Sequence, residues 1–180
     1  DLLAHMRSYI ESNGMLYAKV IDGKEQEGAN FRDWFNFHEA LKSLPSHRIL
    51  ALLRGRQQGV LDLRIGLNPD LDEQTPHPCI TRIAEFLHLG ARFDNQAPAR
   101  AKWLGEVCRW SWRVKLLTTF ETEFIGVLRE RAEQEAIHVF ANNLKDLLLA
   151  APAGPKSVIG LDPGIRTGVK VAVINSTGKL

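Results

Sequence analysis

The segment 152–155, Pro-Ala-Gly-Pro, divides this sequence into two parts that cannot share one continuous element of secondary structure. Two prolines and a glycine within four residues end a helix and form a short, stiff connection. Residues 78–151 follow helical periodicity, whereas apolar runs rich in β-branched residues flank a Pro-Gly turn after the segment. The sequence therefore predicts a helical body at 1–152, a linker at 153–156 and a β-hairpin at 157–180.

One stretch inside the predicted body breaks the helical periodicity. Residues 49–53 form a short apolar run, residues 54–59 (Arg-Gly-Arg-Gln-Gln-Gly) are typical of a turn, and residues 60–65 partly alternate. This pattern predicts an internal β-hairpin at about 48–65.

Residues 1–44 are predicted as helix with interruptions. Apolar residues recur at helical spacing up to Ile10, Gly14 weakens the pattern, and Leu16 and Val20 resume it. The predicted fold class is therefore mainly α. It is a multi-helix scaffold with a small internal β-hairpin and a second hairpin near the C-terminus.

Composition and cysteine usage exclude several classes of protein. The chain has 180 residues, a net charge of +2 and 44% hydrophobic residues, which is typical of a globular domain. Cys79 and Cys108 lie far apart without CxxC spacing, so neither a disulfide nor a metal site is predicted. No apolar run approaches the roughly 18 residues that span a bilayer. We expect a cytoplasmic protein with no membrane segment, no metal and no cofactor.

Basic residues are clustered although the chain as a whole is almost neutral. Residues 47–66 contain four arginines and one acid, and residues 100–116 contain five basic residues and one acid. Arginine forks match phosphate oxygens, so such clusters are candidate nucleic-acid contacts. The side chains predicted to contact nucleic acid are Arg54, Arg56, Arg109, Arg113 and Arg166. Ordinary solvated surface charge is the alternative interpretation.

The tryptophans of the longest helical block differ in their surroundings. Trp103 and Trp110 belong to a row spaced by four and three residues, which predicts a core stripe. Trp112 lies among basic residues, where a ring could stack a base, but a helix that is apolar on two faces favours its burial. The glutamates between residues 121 and 135 are interpreted as an ordinary solvated helix face.

Asp162 is the one candidate for metal chemistry. It ends an apolar strand and precedes a Pro-Gly turn, as the metal-binding carboxylate of RNase H-like folds does. The phosphate-binding hairpin of sugar-kinase and actin-like ATPases has the same geometry. A carboxylate suits Mg²⁺, which normally works with one or two further acids. An Asp before Pro-Gly is equally good turn chemistry, so no catalytic residue and no complete metal site is predicted.

Three segments resemble one known family. They are residues 25–33 (Glu-Gln-Glu-Gly-Ala-Asn-Phe-Arg-Asp), residues 45–60, which begin with Pro-Ser-His-Arg, and residues 143–168, which contain Leu-Asp-Pro-Gly-Ile-Arg-Thr-Gly. These stretches resemble the Tex family of bacterial transcription accessory proteins, which is related to a eukaryotic transcription elongation factor. The resemblance covers essentially the whole chain.

The resemblance implies a long, mostly helical cytoplasmic protein. Such a protein carries a helical scaffold, a YqgF-type RNase H-like domain, helix-hairpin-helix elements and an RNA-binding OB-fold domain. Residues 1–152 match the scaffold, and residues 157–180 match the opening hairpin of the RNase H-like domain. Asp162 matches the first acid of the related resolvases and is interpreted as a vestigial acid. The implied partners are RNA or DNA and the transcription machinery.

The resulting interpretation is part of a non-enzymatic, nucleic-acid-binding transcription accessory protein, in which this part is mainly scaffold. One alternative is a RuvC-like nuclease that uses Asp162 with downstream acids and Mg²⁺. The second alternative is a protein-interaction scaffold that meets nucleic acid only through other domains. Acids at the ends of later elements would separate the nuclease from the other two.

Overall fold

The computed structural model describes residues 1–72, 76–89 and 99–180. They form two compact units, Asp1–His138 and Val139–Leu180. Helix accounts for 55% of the described residues, and the described strands form two small antiparallel sheets. The predicted fold class, mainly α with small β elements, is confirmed.

The helices of the described residues differ widely in length. They are α1 (Leu2–Asn13), α2 (Ser46–Gln57), α3 (Pro69–Asp72), α4 (Pro78–Phe86), α5 (Ala99–Trp110) and α6 (Leu117–Leu148), with a 3₁₀ helix at Ala29–Trp34 and a π-helix at Ser111–Leu116. Asp1 caps α1 by accepting a hydrogen bond from the backbone N–H of Leu3 at 2.9 Å. Among the described helices, none is long and apolar enough to cross a membrane.

A three-stranded antiparallel sheet lies in the first unit. Its strands are β1 (Gly14–Val20), β2 (Asn36–Ala40) and β3 (Leu61–Leu67), in the order β2-β1-β3. Alternate residues of β1 and β3 are buried, and Leu16 lies opposite Ile65. These residues join the same hydrophobic core as the buried residues of α1, α2 and α6.

The interpretation of residues 1–44 as interrupted helix is wrong for β1 (Gly14–Val20) and β2 (Asn36–Ala40), whereas the 3₁₀ helix at Ala29–Trp34 is a helical segment within that range. Leu16 and Val20 are four residues apart, which fits one helical turn and also fits one face of a strand. Leu16 and Ala18 are buried and Val20 is half-buried, and this period of two identifies the strand.

The predicted internal β-hairpin at about 48–65 is also wrong, because its first half is helix α2. Only the second predicted strand exists, as β3, and it pairs with β1. Ile49, Leu52 and Gly55 are buried at a spacing of three residues. A short apolar run is compatible with strand or helix, and here it is one side of a helix.

The two glycines that suggest a turn in the sequence have other roles. A Cβ atom at Gly55 would lie 2.5 Å from Cδ1 of Leu61 and 3.2 Å from Cδ1 of Phe31, so this glycine lets α2 pack closely on β3. Gly59 follows α2 with φ at +69°, a left-handed conformation that suits glycine after a helix end. Glycine here marks close packing and a helix end.

The α5, π and α6 helices follow one another without a break. Trp103 is 62% exposed and Trp110 is 54% exposed, whereas Trp112 is only 5% exposed and lies beside the ring of His77. The predicted core stripe through Trp103 and Trp110 is therefore wrong, and the predicted burial of Trp112 is confirmed. Both rows are apolar in sequence, so periodicity alone does not identify the row that faces the core.

The first half of α6 carries its buried face. Phe120, Phe124, Leu128 and Ala132 recur every four residues and contact the core. Beyond Ala132, none of the α6 residues is buried. The first unit is therefore held by the N-terminal part of this helix.

The second unit contains the predicted C-terminal β-hairpin, which is confirmed. Strands β4 (Val158–Gly164) and β5 (Gly168–Ile174) pair in antiparallel register. Residues 153–156, the predicted linker, lie between α6 and β4. The assignment of residues 157–180 to an RNase H-like domain and the domain division at the linker stay predictions.

Candidate nucleic-acid interface

Arg54 and Arg56 lie near the C-terminal end of α2, beside its buried row. Because Ile49, Leu52 and Gly55 face the core, the positions on either side of Gly55 are exposed. A cation in the last turn complements the partial negative charge of the helix end and stabilises it by about 0.3–1 kcal/mol. Helix stability therefore accounts for basic residues here, and a ligand role needs a further observation.

That observation is a groove of about 1140 Å³ between α2 and α6. Arg54 and Arg56 line it from α2, Arg129 lines it from α6, and Glu133 is the one acid among its described lining residues. The other lining residues are Leu50, Leu53, Gln57 and Gln58. Within the described residues, none of the three guanidinium groups forms an ion pair. We call this surface the arginine groove.

The chemistry of the arginine groove suits an anion with several oxygens. Each guanidinium presents a planar set of N–H donors that matches phosphate geometry. The amides of Gln57 and Gln58 add neutral donors, and Leu50 and Leu53 supply an apolar wall. The groove can therefore hold phosphate groups of a strand.

Smaller cavities continue from both α2 arginines. Arg54 also lines a cavity of about 400 Å³ together with Phe31 and Trp34. Arg56 lines another cavity, of about 470 Å³, which includes Asp22. An aromatic wall beside Arg54 is compatible with a base next to a phosphate, whereas Asp22 reduces the positive charge near Arg56.

The Pro-Ser-His-Arg motif begins α2 and connects it to the sheet. Pro45 precedes the first helical residue with extended backbone angles. Nη1 of Arg48 lies 2.7 Å from Oε2 of Glu39 on β2. The motif therefore orients the helix that carries Arg54 and Arg56.

Two further bonds join the start of α2 to α6. The hydroxyl of Ser46 donates to the carboxylate of Glu135, and Nη2 of Arg131 donates to the carbonyl oxygen of Leu44 at 2.8 Å. Both α6 residues lie within two turns of Arg129. The two helices that line the arginine groove are thus fixed to each other close to it.

Three of the α6 acids bind other elements instead of forming an ordinary solvated face. Glu121 accepts a hydrogen bond from the backbone N–H of Ile65 at 3.2 Å. Glu123 pairs with Arg7 on α1, and this hydrogen bond raises the pKa of Arg7. Together with Glu135, these acids attach α6 to α1, α2 and β3, so the solvated-face interpretation is wrong for them.

The other predicted contact residues lie outside the arginine groove. Arg109 and Arg113 are exposed on α5 and the π-helix and do not line the groove. Arg166 is exposed in the turn between β4 and β5, in the second unit. The structure therefore brings together Arg54 and Arg56 and adds Arg129.

Sequence reasoning missed Arg129 because its neighbourhood along the chain is not basic. Residues 129–135 contain two arginines and three glutamates, so no cluster is visible. The position becomes significant only when α6 lies against α2. A local charge count therefore gives no signal for it.

Asp162 is exposed on β4 and lies opposite Lys170 on β5. Nζ of Lys170 is 3.6 Å from Oδ2 of Asp162. Among the described residues, no group of three His, Cys, Asp or Glu side chains could hold a metal ion. The role of Asp162 as a metal ligand or a vestigial acid stays a hypothesis.

The two cysteines are buried and separate. Burial raises the pKa of the Cys79 thiol to about 12, although the nearby Arg82 opposes the shift. Burial also raises the pKa of Cys108. Because the thiolate is the reactive form, neither cysteine is suited to act as a nucleophile near neutral pH.

Comparison with known proteins identifies the family. The family described as Tex central region-like matches residues 1–140. Protein tex of Bordetella pertussis is 69% identical over 181 aligned residues, which cover 100% of this chain and 23% of that protein. Transcriptional accessory protein Tex of Neisseria gonorrhoeae is 43% identical, with the same two coverages of 100% and 23%.

A human protein, S1 RNA-binding domain-containing protein 1, is 27% identical over 168 residues, which cover 91% of this chain and 16% of that protein. The chain thus spans about a quarter of the length of its bacterial relatives, 23% in both cases. The family match extends over more than two thirds of the chain and over both helices of the arginine groove. The chain belongs to the Tex family.

Proposed function

We propose that this chain is the central region of a transcription accessory protein and contributes a phosphate-binding surface to it. The observation that carries the proposal is the arginine groove, where Arg54, Arg56 and Arg129 converge without ion pairs among the described residues. Guanidinium groups that find no carboxylate in the fold remain free to bind an external anion.

The names of the relatives support the choice of nucleic acid as that anion. One relative is named a transcriptional accessory protein, and another is named for an S1 RNA-binding domain. The proposed partners of the whole protein are therefore RNA or DNA and the transcription machinery, and its proposed location is the cytoplasm. In this proposal the present region is mainly scaffold, and its groove adds to binding by other domains.

The proposal includes no enzymatic activity. Phosphodiester hydrolysis typically uses paired metals, which need several carboxylates. Asp162 faces the ammonium group of Lys170, and the buried thiols are poor nucleophiles. A Mg²⁺-dependent nuclease and a purely protein-binding scaffold are the competing functions, which assays of RNA binding and of nucleic-acid cleavage distinguish.

Three phosphate contacts predict weak binding with a defined salt dependence. For a single strand, each contact lowers the slope of log K against log salt by about 0.7, so three contacts give a slope of about −2. Raising the salt concentration from 50 to 200 mM should therefore weaken binding about 20-fold.

The test measures fluorescence anisotropy of labelled single-stranded RNA with the chain and with a triple variant, Arg54→Gln, Arg56→Gln and Arg129→Gln. The triple variant should bind at least tenfold more weakly at low salt, and the magnitude of its salt slope should be smaller than that of the wild type by about 2. The matched control replaces three exposed lysines that do not line the groove, Lys42→Gln, Lys145→Gln and Lys179→Gln. Equal losses in both triple variants, or a triple arginine variant with the wild-type slope, would refute a groove-specific site.

A further inference from the structure

One face of α5 and the π-helix is apolar, aromatic and exposed. Trp103 and Trp110 are more than half exposed, and Val107 and Val114 between and beyond them are also exposed. Spacings of four, three and four residues place all four on one side of a helix. We call these four residues the tryptophan face. A contiguous apolar surface of this kind is typical of an interaction site.

Lys115 borders the tryptophan face. Nζ of Lys115 lies 5.5 Å from the centroid of the Trp110 ring, within cation–π distance. Arg109 and Arg113 are exposed on the same helical segment, and Glu106 is its single acid. Charge complementarity therefore favours an anionic occupant.

We propose that the tryptophan face binds single-stranded nucleic acid, with bases stacked on Trp103 and Trp110 and phosphates held by the neighbouring cations. The inference rests on the proposed nucleic-acid function and names a second site and the class of strand. A spacing of seven residues in an α-helix separates the Cα atoms of Trp103 and Trp110 by about 10.5 Å along the axis. This distance matches three base steps of about 3.4 Å.

The face fits a nucleic-acid strand better than an acidic peptide. A strand presents planar rings and anionic groups in alternation, so rings can lie on the indoles while phosphates reach the bordering cations. Peptide carboxylates over an indole would meet the negative face of its π-system. The π-helix directly after Trp110 agrees with a binding role, since such turns are frequent at functional sites.

The test uses the 180-residue chain, a fluorescein-labelled 12-nucleotide oligouridine and a 12-base-pair RNA duplex. The double variant Trp103→Ala, Trp110→Ala should bind the single strand at least tenfold more weakly and the duplex unchanged, because a duplex hides its base faces. Its salt slope should equal that of the wild type, since stacking releases no counterions. Trp103→Phe with Trp110→Phe should retain most of the affinity.

The matched control is Ile137→Ala with Phe140→Ala, two comparably exposed apolar residues of α6, which should leave binding unchanged. Circular dichroism should show the same melt for every variant. Wild-type binding by the tryptophan double variant overturns the inference, as does equal loss of single-strand and duplex affinity. Loss of a dimer in sedimentation with unchanged RNA binding assigns the face to a second copy and also overturns it.

Failure of this inference is distinguishable from failure of the proposed function. A chain that binds neither RNA overturns both. A triple arginine variant that binds like the wild type refutes RNA binding by the arginine groove alone. The tryptophan variants still test RNA binding by the tryptophan face.

Discussion

Arg131 donates a hydrogen bond from Nη2 to the carbonyl oxygen of Leu44 at 2.8 Å, across 87 positions of the sequence. Arg129, two residues earlier on α6, lines the arginine groove without an ion pair among the described residues. Two arginines on one helix thus have different roles, because Arg131 fixes α6 to Leu44, two residues before α2, and Arg129 presents its charge to the groove.

This difference predicts that two similar substitutions affect different properties, stability in one case and RNA binding in the other. Arg131→Ala should lower the free energy of unfolding by about 1–2 kcal/mol, since the buried Leu44 loses a charged donor to its carbonyl. Arg129→Ala should change it by less than about 0.5 kcal/mol and should weaken RNA binding. Urea denaturation followed by circular dichroism measures both, and equal destabilisation would contradict the assignment.

Replacing Gly55 by alanine should destabilise the folded chain, although alanine has the higher helix propensity. A Cβ atom there would overlap the side chain of Leu61, whose Cδ1 and Cγ lie 2.5 and 2.9 Å from it. Overpacking of this kind costs about 1–3 kcal/mol, which exceeds the gain of about 1 kcal/mol in helix propensity. Gly55→Ala should therefore lower the melting temperature.

Gly126→Ala is the control for this prediction. A Cβ atom at Gly126 meets nothing within 4 Å, so only the propensity gain remains and the melting temperature should rise. If Gly55→Ala and Gly126→Ala both raised the melting temperature, α2 would not pack closely on β3.

Cys79 predicts a loss of stability at alkaline pH. Its pKa is about 12 in the folded chain and near 9.0 for the ordinary thiol, because burial penalises the thiolate. Between these values the unfolded chain holds fewer protons, so stability falls as the pH rises from 9 towards 12. By pH 10 the free energy of unfolding should have fallen by about 1 kcal/mol.

The measurement compares urea denaturation at pH 8 and pH 10 for the wild type and Cys79→Ala. The variant should lose less stability between the two pH values, whatever its level at pH 8. Thiol-reactive reagents should label Cys79 slowly in the folded chain at pH 8. Rapid labelling, or an unchanged pH dependence in the variant, would contradict a buried thiol.

Because Asp162 is a single carboxylate paired with Lys170, we expect the chain to have no nuclease activity. Single-stranded, duplex and junction nucleic acids should stay intact with the chain in Mg²⁺ or Mn²⁺, since one carboxylate beside Lys170 does not supply a two-metal site. Gel electrophoresis of labelled substrates detects cleavage. Cleavage that is lost in Asp162→Ala would support the nuclease instead.

The parts of the fold that the sequence predicts correctly depend on local patterns. The C-terminal hairpin follows from two β-branched runs around a Pro-Gly turn, and helix α6 follows from a long apolar period. The burial of Trp112 follows from a helix that is apolar on two sides. In each case the residues that determine the structure lie close together in the chain.

The three-stranded sheet and the arginine groove depend on distant residues. Leu16 pairs with Ile65, and the hydroxyl of Tyr17 donates to the carbonyl oxygen of Leu67 at 2.6 Å, so β1 is a strand because of a partner 50 positions away. Arg129 reaches the groove only through the packing of α6 on α2. Periodicity and local charge carry no information about such pairings.

Each strand of the C-terminal hairpin has one edge whose backbone groups pair with no other described strand. The valine and isoleucine side chains of β4 and β5 are almost all exposed. Such an edge is a template onto which another molecule can add a strand. Concentrated solutions of the chain should therefore form thioflavin-positive assemblies on storage, whereas dilute solutions should stay clear. The concentration at which the chain is stored will then determine whether an assay measures assembled or unassembled chains.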